Sequence, residues 1–235
     1  MSISTNNSQP ESVDQNNLPS LIWPDPSPLP RFSHPLHLGV MASGNGSNFE
    51  VLVKATQRKQ LDASIDVLVV NNPDCETRRR AERLGIPCVV HDHRKFSSRE
   101  QLDQALVSTF KKISVEGIVM AGWMRIVTPI LVEAFTDRLL NIHPSLLPSF
   151  TGLDAVGQAL KAGVPITGCS VHRVTAEVDA GPVIAQAAVP ILCSDDHQCL
   201  SQRIQSQEHK LLPLAVAIAG QSWRSQVNSG VERQQ

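Results

Sequence analysis

The stretch LLNIHPSLLPSF, residues 139–150, closes an apolar run with an asparagine and a histidine two positions apart. If Leu139 and Leu140 lie in a strand, Asn141 and His143 project from the same face, because strand side chains alternate with a period of two. Pro144 then turns the chain away and leaves His143 at the rim. An amide and an imidazolium aimed at one point can donate hydrogen bonds to an oxygen that becomes negative during reaction, as acyl transfer through a tetrahedral intermediate requires. The plain alternative is a histidine that caps a strand end. Downstream, HRVTAEVDAGPVIAQ (172–186) carries Glu177 and Asp179 on a loop leading into Gly181 and Pro182. A carboxylate there can orient His143 and hold a water that relays a proton, although loop acids are commonly just solvated.

A second constellation is SGNGSN (43–48), two glycines and a serine between a strand and a helix start. Glycine lets the backbone approach a ligand closely, and the free N–H groups of a first helical turn favour an anion. The motif is neither a Walker loop nor a full G-x-G-x-x-G, since Phe49 stands where the last glycine would be. A tight turn and a phosphate cradle both remain open. HDH (91–93) offers two candidate metal ligands without a third nearby, which reads as a polar loop, so no catalytic metal is expected.

These loops need a scaffold to bring them together. LHLGVMAS (36–43) reads as a strand, and NFEVLVKATQRKQ (48–60) sets Phe49, Leu52, Val53 and Thr56 at helical spacing. IDVLVVNN (65–72) is a buried strand, DCETRRRAERLG (74–85) a helix closed by Gly85, and IPCVVHD (86–92) a short strand. REQLDQALVSTFKK (99–112) is an amphipathic helix, and GIVMAGW (117–123) a strand. PILVEAF (129–135) opens a helix on Pro129, and RLLNIH (138–143) is the strand with the polar pair. Then come a helical GLDAVGQALKAG, strand-like TGCSVHRV and PVIAQAAVPIL, and a long helix from about Asp196 to Ala219. Apolar strands separated by helices predict an α/β, Rossmann-like single domain with a mostly parallel central sheet and helices on both faces. In such sheets ligands bind beyond the carboxyl ends of the strands, where the strand order reverses. ASGNGSN (42–48), AGWMRI (121–126) and NIHPS (141–145) all fall at such ends.

Composition narrows the function classes. With 41% hydrophobic residues among 235, the chain can bury a sizeable core, and a net charge of −1 argues against a nucleic-acid partner. No apolar run approaches the ~20 residues of a membrane helix. Five cysteines without a C-x-x-C pair read as reduced thiols of a cytoplasmic protein. Residues 1–33, rich in Asn, Ser, Gln and Pro, are predicted to be a flexible N-terminal tail, dispensable for activity and stability. The tail carries Glu11, Asp14 and Asp25 against a single basic Arg31, the wrong balance for an organelle address. Trp23 could dock on the body or stay exposed. The domain is expected over 34–225, with a flexible C-terminal tail at 226–235.

LNIHPSLLP (140–148) together with SVHRVTAEVDAGPVIAQ (170–186) resembles the formyltransferases that use 10-formyltetrahydrofolate. SGNGSN near the start and RIQSQEHKLLP (203–213) near the end make the chain most similar to the branch that formylates glycinamide ribonucleotide in purine biosynthesis, over about 37–220. The resemblance implies a catalytic triad of Asn141, His143 and Asp179. It places the ribonucleotide phosphate on Gly46, Ser47 and Asn48, and the two ribose hydroxyls on Glu208. The folate, as co-substrate, would meet Met124, Arg125, Ile126 and Val127 and the Asn141 amide, with Arg99 near its glutamyl carboxylate. The implied partners are small-molecule substrates, for a monomer or homodimer without nucleic acid, membrane or metal.

The family often has a basic residue, a proline and histidines after SLLPSF, whereas this chain reads TGLDAVGQAL, which leaves the substrate contacts of 149–156 open. Methionyl-tRNA formyltransferase carries a further C-terminal domain, and only about 15 residues remain here after Gly220. Formyltetrahydrofolate hydrolase and a non-catalytic nucleotide-binding module are the alternative functions.

Overall fold

The structure, a computed structural model, describes residues 21–25 and 28–231. A short strand β1 (Leu21–Trp23) precedes β2 (Leu36–Ala42), α1 (Ser47–Gln57), β3 (Ala63–Val70), α2 (Glu76–Leu84), β4 (Cys88–Val90) and α3 (Arg99–Ile113). β5 (Gly117–Met120), α4 (Pro129–Ala134) and β6 (Leu139–His143) follow, then α5 (Ala155–Ala162), β7 (Ile166–Arg173), β8 (Val183–Pro190) and α6 (His197–Val231).

The strands form one eight-stranded sheet in the order β1-β8-β7-β6-β5-β2-β3-β4. The five strands from β6 to β4 run parallel, and β7, β8 and β1 add to them antiparallel. Strand residues alternate between two cores, as a pleated sheet covered on both sides demands. Leu38, Val40, Leu68, Val70 and Leu140 pack with Phe49 and Leu52 of α1 and Leu211 and Leu212 of α6. Met41, Val67, Val69 and Ile118 pack with Leu102, Leu106 and Phe110 of α3 and Leu131 of α4. The capping signals hold locally: Gly85 ends α2 in the left-handed region at φ 70°, and Pro129 stands in the first turn of α4.

Two boundaries differ from the sequence expectation. The expected tail 1–33 is not detached at its C-terminal part, where β1 pairs with the outer edge of β8, Leu21 opposite Ala188 and Trp23 opposite Gln186. Ile22, Leu29 and Phe32 pack on the core, and Arg31 bonds to Asp62 at 2.8 Å and to the Lys59 carbonyl at 2.9 Å. Composition averaged over the segment hides a three-residue strand whose value lies in covering an open sheet edge. Trp23 itself is 72% exposed, and residues 1–20 lie outside the described ones. A chain starting at Ser33 is therefore expected to melt several degrees lower than the full chain, at about 2–4 °C per kcal/mol lost. An unchanged midpoint in a thermal melt would restore the dispensable tail.

At the other end, α6 passes the expected stop at Ala219 and stays helical to Val231, into the segment expected to be a flexible tail. Trp223 is buried and its indole N–H donates to the Asp137 carbonyl at 2.8 Å, while Arg224 pairs with Glu116 at 3.0 Å. Gly220 lies inside the helix, where its missing side chain makes room for Leu36.

Candidate active site

β2 lies between β3 and β5, so the strand order reverses there, and the loops after β2 and β5 meet. The Ser43 N–H donates to the Gly122 carbonyl at 3.0 Å, and the Met124 N–H to the Ser43 hydroxyl at 2.9 Å. One row of the sheet register runs Met41, Met120, Asn141, His172, which sets the end of β6 beside both loops.

Asn141 and His143 share a face of β6, opposite His172 and Ser170 of β7. His143 is buried; its Nδ1 lies 3.4 Å from Asp179 Oδ2 and its Nε2 2.8 Å from the Phe150 carbonyl. A carbonyl only accepts, so Nε2 carries a proton. The Asn141 amide nitrogen lies 3.2 Å from His172 Nε2, which in turn is 3.5 Å from Asp179 Oδ1. His172 Nδ1 donates to the Arg173 carbonyl at 2.9 Å. Nε2 therefore accepts from Asn141 when the ring is neutral, or donates to Asp179 when it is charged. An amide nitrogen has two hydrogens, so Asn141 keeps one for a ligand.

Asp179 sits in the left-handed region at φ 53° and accepts from the Gly152 N–H at 2.8 Å. Burial opposes its ionisation, but the His172 hydrogen bond, the Gly152 N–H and the charges of both histidines outweigh that and hold the carboxyl below its ordinary value. The 149–154 loop thus reaches the triad through backbone groups, the Phe150 carbonyl and the Gly152 N–H. Side-chain changes in TGLDAVGQAL leave those contacts possible.

A family model described as formyl transferase matches residues 37–216. The chain belongs to the formyl transferase family. Phosphoribosylglycinamide formyltransferase of Bacillus subtilis (strain 168) is 41% identical over 177 residues, which are 75% of this chain and 91% of that protein. Trifunctional purine biosynthetic protein adenosine-3 of Gallus gallus is 43% identical over 181 residues, 77% of this chain but only 18% of its own length. The chain thus spans a small part of the trifunctional relatives it matches. The crystal structure of glycinamide ribonucleotide transformylase 1 from Symbiobacterium toebii agrees with a TM-score of 0.78 at 39% identity, covering 79% of this chain and 88% of that one.

Apart from Arg99, the other residues expected from the formyl transferase resemblance fall into two groups, one around the start of α1 and one in the segment after β5. Gly46 is the N-cap of α1 at φ 81°, packed so closely on Thr77 that a Cβ would lie 2.6 Å from its side chain. No side chain caps this helix, which leaves the N–H groups of its first turn without an intrahelical acceptor. The Asn48 amide donates to Glu208 Oε2 at 2.9 Å across 160 residues, and Asn48 Oδ1 is buried without a partner. Burial pushes the Glu208 carboxyl above its ordinary value, and the Asn48 hydrogen bond only partly opposes this.

On the folate side, Met124 and Ile126 are 70% and 55% exposed, while Nε of Arg125 is buried without a partner. Exposed apolar side chains and unpaired polar groups on irregular backbone suit a flat, hydrogen-bonding ring system. The Val127 side chain is buried in the core cluster that includes Leu131 of α4, which leaves its backbone as the part that the expected folate contact would use. Arg99, exposed in the first turn of α3, has no hydrogen bond or ion pair to the triad among the described residues. In the HDH segment, His91 bonds to Thr109 at 2.8 Å and His93 to the Asn71 carbonyl at 2.9 Å, so the rings serve different partners.

Sequence reasoning missed His172 and Ser170. Ser170 accepts from the Leu147 N–H at 3.0 Å and donates to the Ser145 carbonyl at 2.6 Å, which fixes the turn after His143. The available signal was alternation: polar Ser170 and His172 interleave with apolar Cys169 and Val171 on one strand.

Proposed function

We propose that this chain transfers a formyl group from 10-formyltetrahydrofolate to the primary amine of glycinamide ribonucleotide in purine biosynthesis, as a cytoplasmic enzyme. The proposal rests on one observation: the Asn141–His172–Asp179–His143 cluster ends β6 two strands from an uncapped helix start, where Asn48 is already paired with Glu208. Acyl-transfer donors and a polar pair beside a helix start therefore stand two strands apart in the same sheet. The similarity to the Bacillus subtilis phosphoribosylglycinamide formyltransferase over 91% of that protein supports the same reading.

The neutral amine attacks the formyl carbon directly, so no serine or cysteine needs activation. The formyl oxygen becomes negative and takes the free hydrogen of the Asn141 amide. It also accepts a hydrogen bond from His143 Nε2–H, which otherwise donates to the Phe150 carbonyl. Asp179 and a water carry the amine proton to the folate nitrogen as the bond from that nitrogen to the formyl carbon breaks. The phosphate lies on Gly46, Ser47 and Asn48, the ribose diol on Glu208, and the folate along Met124, Arg125, Ile126 and the backbone of Val127, with Arg99 meeting its glutamyl carboxylate. Incubation of the full chain with both substrates tests this: tetrahydrofolate should appear only when the ribonucleotide is present. Release without the nucleotide would identify a hydrolase, and no release at all a binding module.

Glu208→Gln separates affinity from stability. Loss of charge-assisted hydrogen bonds, worth about 1.5–3 kcal/mol, should raise the KM for the ribonucleotide at least tenfold with little change in the folate KM. A buried carboxyl with a raised folded pKa binds its proton more tightly in the native than in the unfolded state. Stability then falls as pH climbs from the ordinary carboxylate value through the folded one, and is flat above it. An amide at this position does not ionise and suffers no such loss, so the Glu208→Gln variant should melt higher than the full chain at neutral pH. Equal changes in both KM values would remove Glu208 from the ribose site, and a lower midpoint at neutral pH would contradict a cost of burying its charge.

A further inference from the structure

We propose that Arg80 is a positioning residue for ribonucleotide binding, acting by holding the 43–48 loop with its amides turned toward the phosphate. The inference rests on the assignment of the phosphate to that loop. Three arginines follow one another in α2, but their surroundings differ. Arg78 is exposed and bonds to the Pro73 carbonyl, and Arg79 is exposed beside Glu76. Arg80 turns inward: its Nε donates to the Asn45 carbonyl at 2.8 Å, its Nη2 to Asn45 Oδ1 at 2.8 Å, and its Nη1 to Glu50 of α1.

Thr77 lies three residues earlier, on the same face of α2. Its hydroxyl and its N–H both donate to the Gly44 carbonyl, at 2.7 and 3.1 Å. One helix face thus ties down two successive carbonyls of the loop. In a trans peptide the C=O of one residue and the N–H of the next point in opposite directions. Fixing the Gly44 and Asn45 carbonyls on α2 therefore turns the N–H groups of Asn45 and Gly46 away from it. With the unpaired first-turn amides of α1 they form a concave set of donors, which suits phosphate oxygens. Three of the five guanidinium N–H groups are committed to Asn45 and Glu50, and it is through these bonds that Arg80 acts on the loop. Its planar fork matches this arrangement in a way that a single ammonium does not.

The test uses the full chain and a set of variants, with KM for glycinamide ribonucleotide, KM for 10-formyltetrahydrofolate, kcat and thermal midpoint measured for each. Arg80→Met should raise the ribonucleotide KM about tenfold while kcat and the folate KM stay within about twofold, because an interaction equal in ground and transition states is lost. Glu50 keeps Lys54 as a partner in that variant, so no buried charge is stranded. Glu50→Gln, which spares the Asn45 fork, should change the ribonucleotide KM less than about threefold. Asn45→Ala should raise it, and should add little in the Arg80→Met background, since both changes break one contact. If Arg80→Met fails to fold, Arg80→Lys, which keeps the charge without the planar fork, should raise the ribonucleotide KM in its place, and an unchanged KM there would overturn the role of Arg80.

Ser47→Asp places a carboxylate in the first turn of α1, where it favours the helix but repels a phosphate. If it leaves the ribonucleotide KM unchanged, the phosphate lies elsewhere and the assignment falls together with the inference. If Ser47→Asp raises that KM while Arg80→Met does not, only the role of Arg80 is overturned. Parallel changes in both KM values, independent effects of Asn45 and Arg80, or a Glu50→Gln effect as large as that of Arg80→Met would each also overturn it.

Discussion

Asn141→Ala is expected to lower kcat about 10²–10³-fold and to leave both KM values nearly unchanged. The oxygen it serves is strongly negative only near the transition state, so ground-state binding does not draw on it. The geometry adds a reason for the size of the effect. With His172 neutral, the Asn141 amide donates to its Nε2 at 3.2 Å, so the second amide hydrogen is already oriented before substrate arrives. A donor fixed in advance needs no reorganisation as charge develops, which is where such sites gain most. Steady-state kinetics on the folded variant check this. A rise in either KM that accounts for the whole loss in kcat/KM would mean that Asn141 positions substrate and that another group meets the charge.

Asp179→Asn should lower kcat by about 10²–10⁴-fold, the span of a lost proton-transfer partner. Asn tolerates the left-handed backbone at φ 53° that this position needs, so the loop should keep its shape. Because His143 and Asp179 act as a unit, combining this change with His143→Ala should lower the rate far less than the product of the single effects. Multiplicative losses would show that the two work independently. The same variant has a signature in stability. A carboxyl held below its ordinary value stabilises the fold above the unfolded value of 3.8 and loses that contribution as pH falls through the folded one. The full chain should therefore exceed Asp179→Asn in thermal midpoint most at neutral pH, and the gap should close below about pH 4. A gap that widens on acidification would contradict an Asp179 carboxyl held below its ordinary value beside two histidines.

Local signals with a sharp period were legible in the chain. Leu38, Val40 and Met41 announce a strand covered on both faces, and Leu102, Leu106 and Phe110 a helix stripe, because burial on one or two sides imposes those spacings. Gly85 and Pro129 marked helix ends through backbone conformations few other residues adopt. The polar pair at the end of β6 was legible for the same reason, since Asn141 and His143 interrupt an otherwise apolar strand on one face.

The errors came where a short segment gains its structure from a distant surface. Leu21–Trp23 lies in a polar, proline-rich stretch and becomes a strand only because β8 presents an open edge. The last turns of α6 persist past Gly220 because Trp223 and Arg224 find partners at Asp137 and Glu116.

The sequence by itself determined the elements from β2 to the body of α6, that strands alternate with helices, and that Asn141, His143, Asp179 and the SGNGSN loop stand at element ends. Those properties depend on residues within a few positions of one another, where period, caps and turns act. Only the tertiary structure decided that His172 links Asn141 to Asp179, that Asn48 meets Glu208 across 160 residues, and that α2 grips the loop through Thr77 and Arg80. Such contacts arise from strand order and register, which bring remote residues within about 3 Å and leave no periodic trace along the chain.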